Sequence, residues 1–322
     1  MMVKKLFLFI VLVRALAAVL ITNSHYIGVY PTDLIANGGL LGDVLFFAVS
    51  GFCLANSKGS SFGKWYFKRF IRIYFPMWMI RIVYILMGVF VITGLKSLFE
   101  YFIFPRDWHF ISSIILLYVP LFFISRYVEM NKKNYMRIAI GLFCIQMLLY
   151  LLVYDYSFYH IDAVNEPMIE FLFFQSMLLG LHYRHKCEIE NVEKPLIWWK
   201  IGLCFILGVL YFASKMIFVK VSSAAPYQIL NQIVLWVLLY AVFDAFMNLE
   251  NRLSKFQSGW VWKFIKFISD RTLEIYLVQF YIIAHYNIGE FPVNWIILTA
   301  TILVSATVLR WCSQQIITRI NL

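Results

Sequence analysis

KLFLFIVLVRALAAVLITNSHY (residues 5–26) is the first long apolar run of the chain, and how it is read decides the fold. At about 1.5 Å of rise per residue, a helix of this length crosses roughly 30 Å of hydrocarbon. Yet Arg14 stands in its middle and His25 near its end. An arginine at the centre of a membrane helix costs roughly 2.5–3.5 kcal/mol on insertion scales, so a chain that keeps one there has a use for it.

The remainder of the 322 residues repeats the apolar pattern: 62% of the chain is apolar and only 14% charged, well outside the range of a soluble domain. The expectation is an all-α integral membrane protein. Apolar runs near spanning length fall at roughly 5–26, 36–56, 74–94, 110–127, 136–154, 168–183, 199–219, 228–248, 272–288 and 293–312, which predicts about ten transmembrane helices. The sixth and ninth are the weakest, because they carry Glu170 with Gln175 and Glu274 with Gln279. Lysine and arginine placement tests the count without hydropathy. Numbered from a cytoplasmic start, the outer segments hold only Lys96, Arg106, Lys215 and Lys220 of the 28 basic residues. Arg14 and Arg81 lie inside spans, and the others, from Lys4, Lys5 and Lys58 to Lys194 and Arg319, fall on the inner side. Both termini are therefore expected in the cytoplasm.

The net charge of +11 is explained by that distribution over inner loops and tails, so the partners expected are membrane lipid and not nucleic acid. The start MMVKK followed by an apolar run imitates a signal peptide, but Arg14 interrupts it and nine more runs follow, so an uncleaved first helix is expected. Cys53, Cys144, Cys187, Cys204 and Cys312 are scattered and form no CxxC, which argues against disulfides, zinc and a cysteine nucleophile. No loop is long enough to fold separately, so residues 1–322 are expected to form one membrane domain. Two inner segments, SSFGKWYFKRFIRIYFPMW (60–78) and GWVWKFIKFISDR (259–271), interleave aromatic and basic residues as interfacial helices do.

Eleven residues separate Arg14 from His25, three turns plus about 20°, so both point from one helix face about 16 Å apart along the axis. Either residue alone has an ordinary explanation, an interhelical ion pair or a hydrogen bond at the interface. Together they make a polar track, the mark of a substrate or ion pathway. An extended donor with an anionic head and a thioester at the end of a flexible arm, such as acyl-coenzyme A, fits such a track. Phosphates would lie near cations and the carbonyl near an imidazole able to take a proton from an attacking hydroxyl. Arg69 and Arg72, one turn apart in KRFIRIYFP (68–76), add forked donors suited to phosphate. Pro76 is expected to begin the third span, with Arg81 reaching the interface or joining the phosphate site.

Arg14-x10-His25, then GDVLFFAVSGF (42–52), then KRFIRIYFP (68–76) resembles the opening of acyltransferase family 3, the integral membrane O-acyltransferases of bacteria. DWHFISSIILLYVP (107–120) and SDRTLEIYLVQ (269–279) are similar to later family segments. The resemblance implies that His25 is the catalytic base and that Arg14, Arg69 and Arg72 engage an acyl-CoA donor from the cytoplasm. It also implies that Ser50 and Gly51, of the family's Ser-Gly-Phe element, let the donor's arm pass. Acetyl-CoA, or another acyl-CoA, would be a substrate and not a resident cofactor, with no metal. The acceptor would be a sugar hydroxyl of a cell-surface polysaccharide or a lipid-linked glycan precursor, in a bacterial inner membrane. Family members commonly read Gly-Val-Asp-Leu-Phe-Phe where this chain has Gly42-Asp43-Val44-Leu45-Phe46-Phe47, which moves the acid by one position, about 100° around the helix. Asp43 is instead a candidate partner for His25, since both fall in the outer half of adjacent predicted spans. Gln279 stands where the family commonly has histidine, which makes that position dispensable for proton transfer. No fused extracytoplasmic domain of the kind many members carry is expected.

The alternative function is a transporter or flippase of a lipid-linked sugar or small solute, for which Glu170, Asp244 and Glu274 would be the intramembrane acids. The ordinary explanation of those acids is interhelical bonding or a helix-end position. His109, His160, His182, His185 and His285 form no ligand spacing. His160 with Asp155, Asp162 and Glu166 makes an acidic outer loop.

Overall fold

A computed structural model describes residues 7–55, 60–163, 166–190 and 197–319. These are all-helical, 78% in helix, with no strand among the described residues. In chain order the helices are α1 (Leu8–Ser24), α2 (Gly39–Leu54), α3 (Phe62–Leu86), α4 (Leu95–Phe102), α5 (His109–Tyr127), α6 (Lys132–Leu152) and α7 (Pro167–Ile189). Then come α8 (Trp198–Lys220), a 3-10 turn (Ser222–Tyr227), α9 (Ile229–Met247), α10 (Glu250–Phe256), α11 (Trp260–Ser269), α12 (Thr272–Tyr286) and α13 (Val293–Arg319). Every apolar run predicted from the sequence falls on one of these helices. Five of them, α5, α6, α8, α9 and α13, are long and apolar enough to cross a membrane, and α1 and α2 are shorter apolar helices. The chain is a membrane protein. Lys4, Lys5, Lys58 and Lys194, expected on the inner side, lie outside the described residues.

The segment 60–94 departs from expectation. The interfacial stretch and the third span form one helix that runs through Pro76 and stops at Leu86, not at 94, and the short α4 comes next. Proline in a helix interior removes a hydrogen bond and crowds the preceding turn. Here the helix is held on both sides of Pro76 by side chains anchored to one neighbouring strip of chain: Tyr74 Oη donates to the Ile103 carbonyl at 2.7 Å and Trp78 Nε1 to the Phe102 carbonyl at 2.8 Å. The second interfacial segment is α11, followed directly by α12.

The described residues fall into two compact units. The first takes the chain up to Arg14, Asp43–Asn56 and Phe123–Lys266. Within it α7 packs on α6 and α9, and α8 on α9. The first turn of α1 exposes backbone N–H groups with no helical partner. Both Glu250 carboxylate oxygens fill that need, accepting from Leu8 N and Phe9 N at 2.9 Å each. Phe47 of α2 stacks on Phe173 of α7 at 4.1 Å. One turn further along α2, a Cβ on Gly51 would overlap the Met177 carbonyl, and a Cβ on Gly180 the Ala48 carbonyl. Glycine at both positions is what lets these two backbones cross so closely.

The second unit takes Ala15–Gly42, Ser57–Phe122 and the chain from Phe267 onward. In it α12 packs on α13 and α3, and α3 on α13 and α4. The start of α2 crosses α1 at another glycine: a Cβ on Gly42 would lie 2.7 Å from Ile21 Cγ1 and 2.8 Å from the Ala17 carbonyl.

Candidate active site

Helix α1 ends at Ser24, so His25 is the first residue beyond it, held by a tightened last turn in which His25 N donates to the Thr22 carbonyl at 3.1 Å. The imidazole is partly buried and meets the Phe280 ring edge-on at 5.8 Å. The connection from His25 to the start of α2 is not a loose loop. Asn23 Nδ2 donates to the Ile35 and Asn37 carbonyls at 2.7 and 3.0 Å, and Tyr30 Oη donates to Asn23 Oδ1 at 2.8 Å. Tyr26 Oη pairs with Thr299 Oγ1 at 2.7 Å, while Asn287 and Asn294 donate to the Gly28 and Val29 carbonyls. A segment without regular structure is thereby tied to α1 and α13, which satisfies its backbone and fixes the chain direction at His25. Asn23, Tyr26, Tyr30 and Asn294 escaped the sequence reading. Their signal, a cluster of amides and phenols flanking His25, is too common in loops to stand out.

One turn before His25, Thr22 Oγ1 lies 2.5 Å from Gln279 Oε1 and 2.9 Å from the Ala18 carbonyl. Ala18 and Thr22 lie one turn apart on the part of α1 that leads to His25, which itself stands just outside the helix. Arg14 is partly buried at the end of the α1 segment that belongs to the first unit. Asp43 opens the part of α2 in that unit, directly after the glycine crossing at Gly42.

Arg69 and Arg72 lie one turn apart on α3 as the spacing requires. Arg72 is exposed. Arg69 folds back over its own helix: the guanidinium lies 4.1 Å from the Trp65 ring centre and Nη1 donates to the Trp65 carbonyl at 3.0 Å. Its Nε is buried without a partner among the described residues. Trp65 therefore sets the direction in which one fork of the pair points.

Arg81 neither reaches an interface nor joins that pair, which corrects the expectation for it. It is fully buried, nine residues or about 13.5 Å beyond Arg72 along α3. Rings of Phe90, Tyr101 and Trp108 surround its guanidinium at 4.3, 5.0 and 4.0 Å, and Asp107 pairs with it at 2.7 Å. Cation–π contact and an ion pair together stabilise a buried charge. Ser50 is partly buried on α2, and the space beside Gly51 is filled by the α7 backbone.

The remaining acids and histidines named from the sequence pair with neighbouring groups. Asp244 takes Lys186 at 3.1 Å and Lys200 at 2.5 Å, and Glu274 lies 3.9 Å from Arg310. In the predicted acidic loop, Asp162 pairs with Lys215 and His160 with Glu166. His182 stacks on Tyr135 and bonds the Met130 carbonyl, and His185 lies 3.5 Å from Glu129. His109 and His285 bond to groups on their own helices.

No curated protein and no solved structure matches this chain. A family model described as an acyltransferase domain, that of acyltransferase family 3, matches residues 7–312, nearly the whole length. The chain with a histidine fixed just beyond the end of α1 therefore belongs to acyltransferase family 3, a family of membrane acyltransferases.

Proposed function

We propose that this membrane acyltransferase moves an acetyl or other short acyl group from acyl-CoA to a sugar hydroxyl of a cell-surface polysaccharide or its lipid-linked precursor. The chain crosses a bacterial inner membrane ten times as one domain, with both termini in the cytoplasm. His25 takes the proton of the acceptor hydroxyl as the oxygen attacks the thioester carbonyl. The coenzyme A thiolate leaves and receives that proton, so the products are an ester and a free thiol. A thiolate departs readily, and the step needs neither a nucleophilic side chain nor a metal. Arg14, Arg69 and Arg72 hold the phosphates of the donor, with Ser50 beside its arm; Gly51, closed off by α7, serves the helix crossing instead. Asp43 is the acid that supports the imidazole.

The observation that carries this reading is the fixation of the chain at His25: a titratable ring just beyond the end of α1, in a segment bound down by six side-chain hydrogen bonds. A general base is effective when its orientation is set before the substrate arrives. The acids that would suit a transporter point the other way, since Asp244 and Glu274 are occupied by basic partners. The test uses membranes from cells expressing the chain, given radiolabelled acetyl-CoA. Label should enter the glycan fraction with release of free thiol, and His25→Ala should abolish both. Transfer at the wild-type rate by His25→Ala would end the proposal.

A further inference from the structure

Beside His25 a buried amide has an unfilled hydrogen-bonding capacity. Gln279, on α12, is 1% exposed. Its Oε1 lies 2.5 Å from the Thr22 hydroxyl, a length within the range of O–H···O bonds and below that of N–H···O bonds. The amide oxygen therefore faces Thr22, and the nitrogen with its two N–H donors faces away. That nitrogen has no acceptor among the described residues. A buried donor left unmatched opposes folding, and native structures keep few of them without a reason.

The position of the amide supplies the reason. Thr22 is one turn before His25 on α1, and Phe280, the residue after Gln279, meets the His25 ring. All four residues belong to the second unit. Around Gln279 the same helix buries Ile275, Leu277, Val278, Ile282 and Ile283, which offer a side-chain N–H nothing to bind. An unmatched donor in apolar surroundings beside a general base is what a developing oxyanion requires.

We propose that Gln279 is the oxyanion donor of the acyl-transfer site, its amide N–H bonding the carbonyl oxygen of the thioester; this rests on the acyltransferase function proposed above. As the acceptor oxygen bonds to the carbonyl carbon and its proton passes to His25, the carbonyl π pair moves onto oxygen, where the Gln279 N–H meets it. Collapse re-forms the double bond and breaks the carbon–sulfur bond. The thiolate takes the proton from the imidazolium, and both side chains return to their starting state. The charge on that oxygen exists only along the reaction path, so a donor without a ground-state partner in the protein acts most strongly there. An amide does this at any pH and moves no proton itself.

The experiment compares wild type with Gln279→Met, Gln279→His and His25→Ala, in the membrane assay with radiolabelled acetyl-CoA and by thermal unfolding in detergent. Gln279→Met should lower kcat about a hundredfold, the range for one oxyanion donor, while KM for acetyl-CoA stays within about threefold. Its Tm should be unchanged or raised, because methionine removes the unmatched donor and frees the single Thr22 hydroxyl proton to turn to the Ala18 carbonyl, 2.9 Å away. Gln279→His restores an N–H and should regain a large part of the rate. A purely structural glutamine would give the reverse, a lower Tm with kcat per folded molecule intact, and that result overturns the assignment. Wild-type turnover by Gln279→Met with His25→Ala inactive overturns it too, leaving the acyltransferase function standing. Should His25→Ala also turn over normally, both proposals fall.

Discussion

Five glutamines are almost equally buried among the described residues, and they fare differently; Gln228 of the first unit, 0% exposed, donates its Nε2 to the Phe158 carbonyl at 2.9 Å. In the first unit Gln146, Gln175 and Gln232 are 2%, 4% and 3% exposed, and each amide nitrogen has an acceptor. Gln146 Nε2 donates to Gln232 Oε1 at 2.6 Å, Gln175 Nε2 to Gln146 Oε1 at 3.3 Å, and Gln232 Nε2 to the Ile161 carbonyl at 3.2 Å. They tie α6, α7 and α9 together, as polar side chains do between membrane helices. In the second unit Gln279 has its oxygen matched and its nitrogen open. Residue type and burial thus do not separate these glutamines, and hydrogen-bond satisfaction does. Gln146, Gln175 and Gln232 are spent on one another and on backbone, whereas Gln279 keeps an open nitrogen in the unit that holds the imidazole. Unmatched buried polar atoms occur in both units, those of Asn231 and Asn248 in the first among them.

That contrast is tested most severely at His25. His25→Ala should cost transfer a factor of about 10²–10⁴, the usual contribution of a general base, with no drop in Tm. A variant that lost stability instead would move His25 to the structural side. Next comes the pair on α3, where Arg69 Nε is open and Arg72 is exposed. Arg69→Ala with Arg72→Ala should raise KM for acetyl-CoA about tenfold or more while kcat falls less, since lost phosphate contacts weaken binding of ground and transition states alike. Titration of initial rates against acetyl-CoA reads the split, and an unchanged KM removes both residues from the donor site.

Much of this was legible from one-dimensional pattern because hydropathy and helical spacing are local. The apolar runs fell on helices, except for the end of the third beyond Leu86, and the placement of Arg14 within α1 follows from the same pattern. The continuity of α3 through Pro76 was not legible, because it depends on bonds from Tyr74 and Trp78 to a strip of chain more than twenty residues later. Arg81 was misplaced for the same reason. Its sequence neighbours suggest a surface cation, but Phe90, Tyr101, Asp107 and Trp108 come from other elements and enclose it. Gly51 suggested room for a ligand, and its partner in the α2–α7 crossing, Gly180, carries no mark that pairs them in advance. The open nitrogen of Gln279 is a statement about what surrounds it, so no spacing rule could find it.

Arg81 has no hydrogen bond to its buried guanidinium among the described residues, but an ion pair and three rings hold it, so its loss should appear in stability. Arg81→Met keeps most of the volume among the three rings but removes the partner of Asp107. Complete loss of a buried ion-pair partner costs about 3–5 kcal/mol, yet Asp107 is 37% exposed, so water compensates it and about 1–2 kcal/mol is expected. Tm should fall while acyl transfer per folded molecule holds. Loss of transfer at an unchanged Tm would place Arg81 with the functional groups.

The smallest expected effect gives the sharpest comparison, because it changes the same residue type on the other side. Gln232→Leu has nearly the wild-type shape and deletes the acceptor of Gln146 Nε2, but that nitrogen also lies 3.3 Å from the Met168 carbonyl and keeps a partner. The Ile161 carbonyl loses its donor. A buried group left partly matched costs about 1–3 kcal/mol, and the remaining bond puts this variant near the lower end. Tm should drop by a few degrees, with kcat and KM for acetyl-CoA unchanged in the fraction that remains folded. Gln279→Met should show the mirror image, a large loss of rate at constant or higher Tm. If the two variants instead lost rate and stability in the same proportion, hydrogen-bond satisfaction would not distinguish the two glutamines, and the case for Gln279 as a reacting-site donor would fail with it.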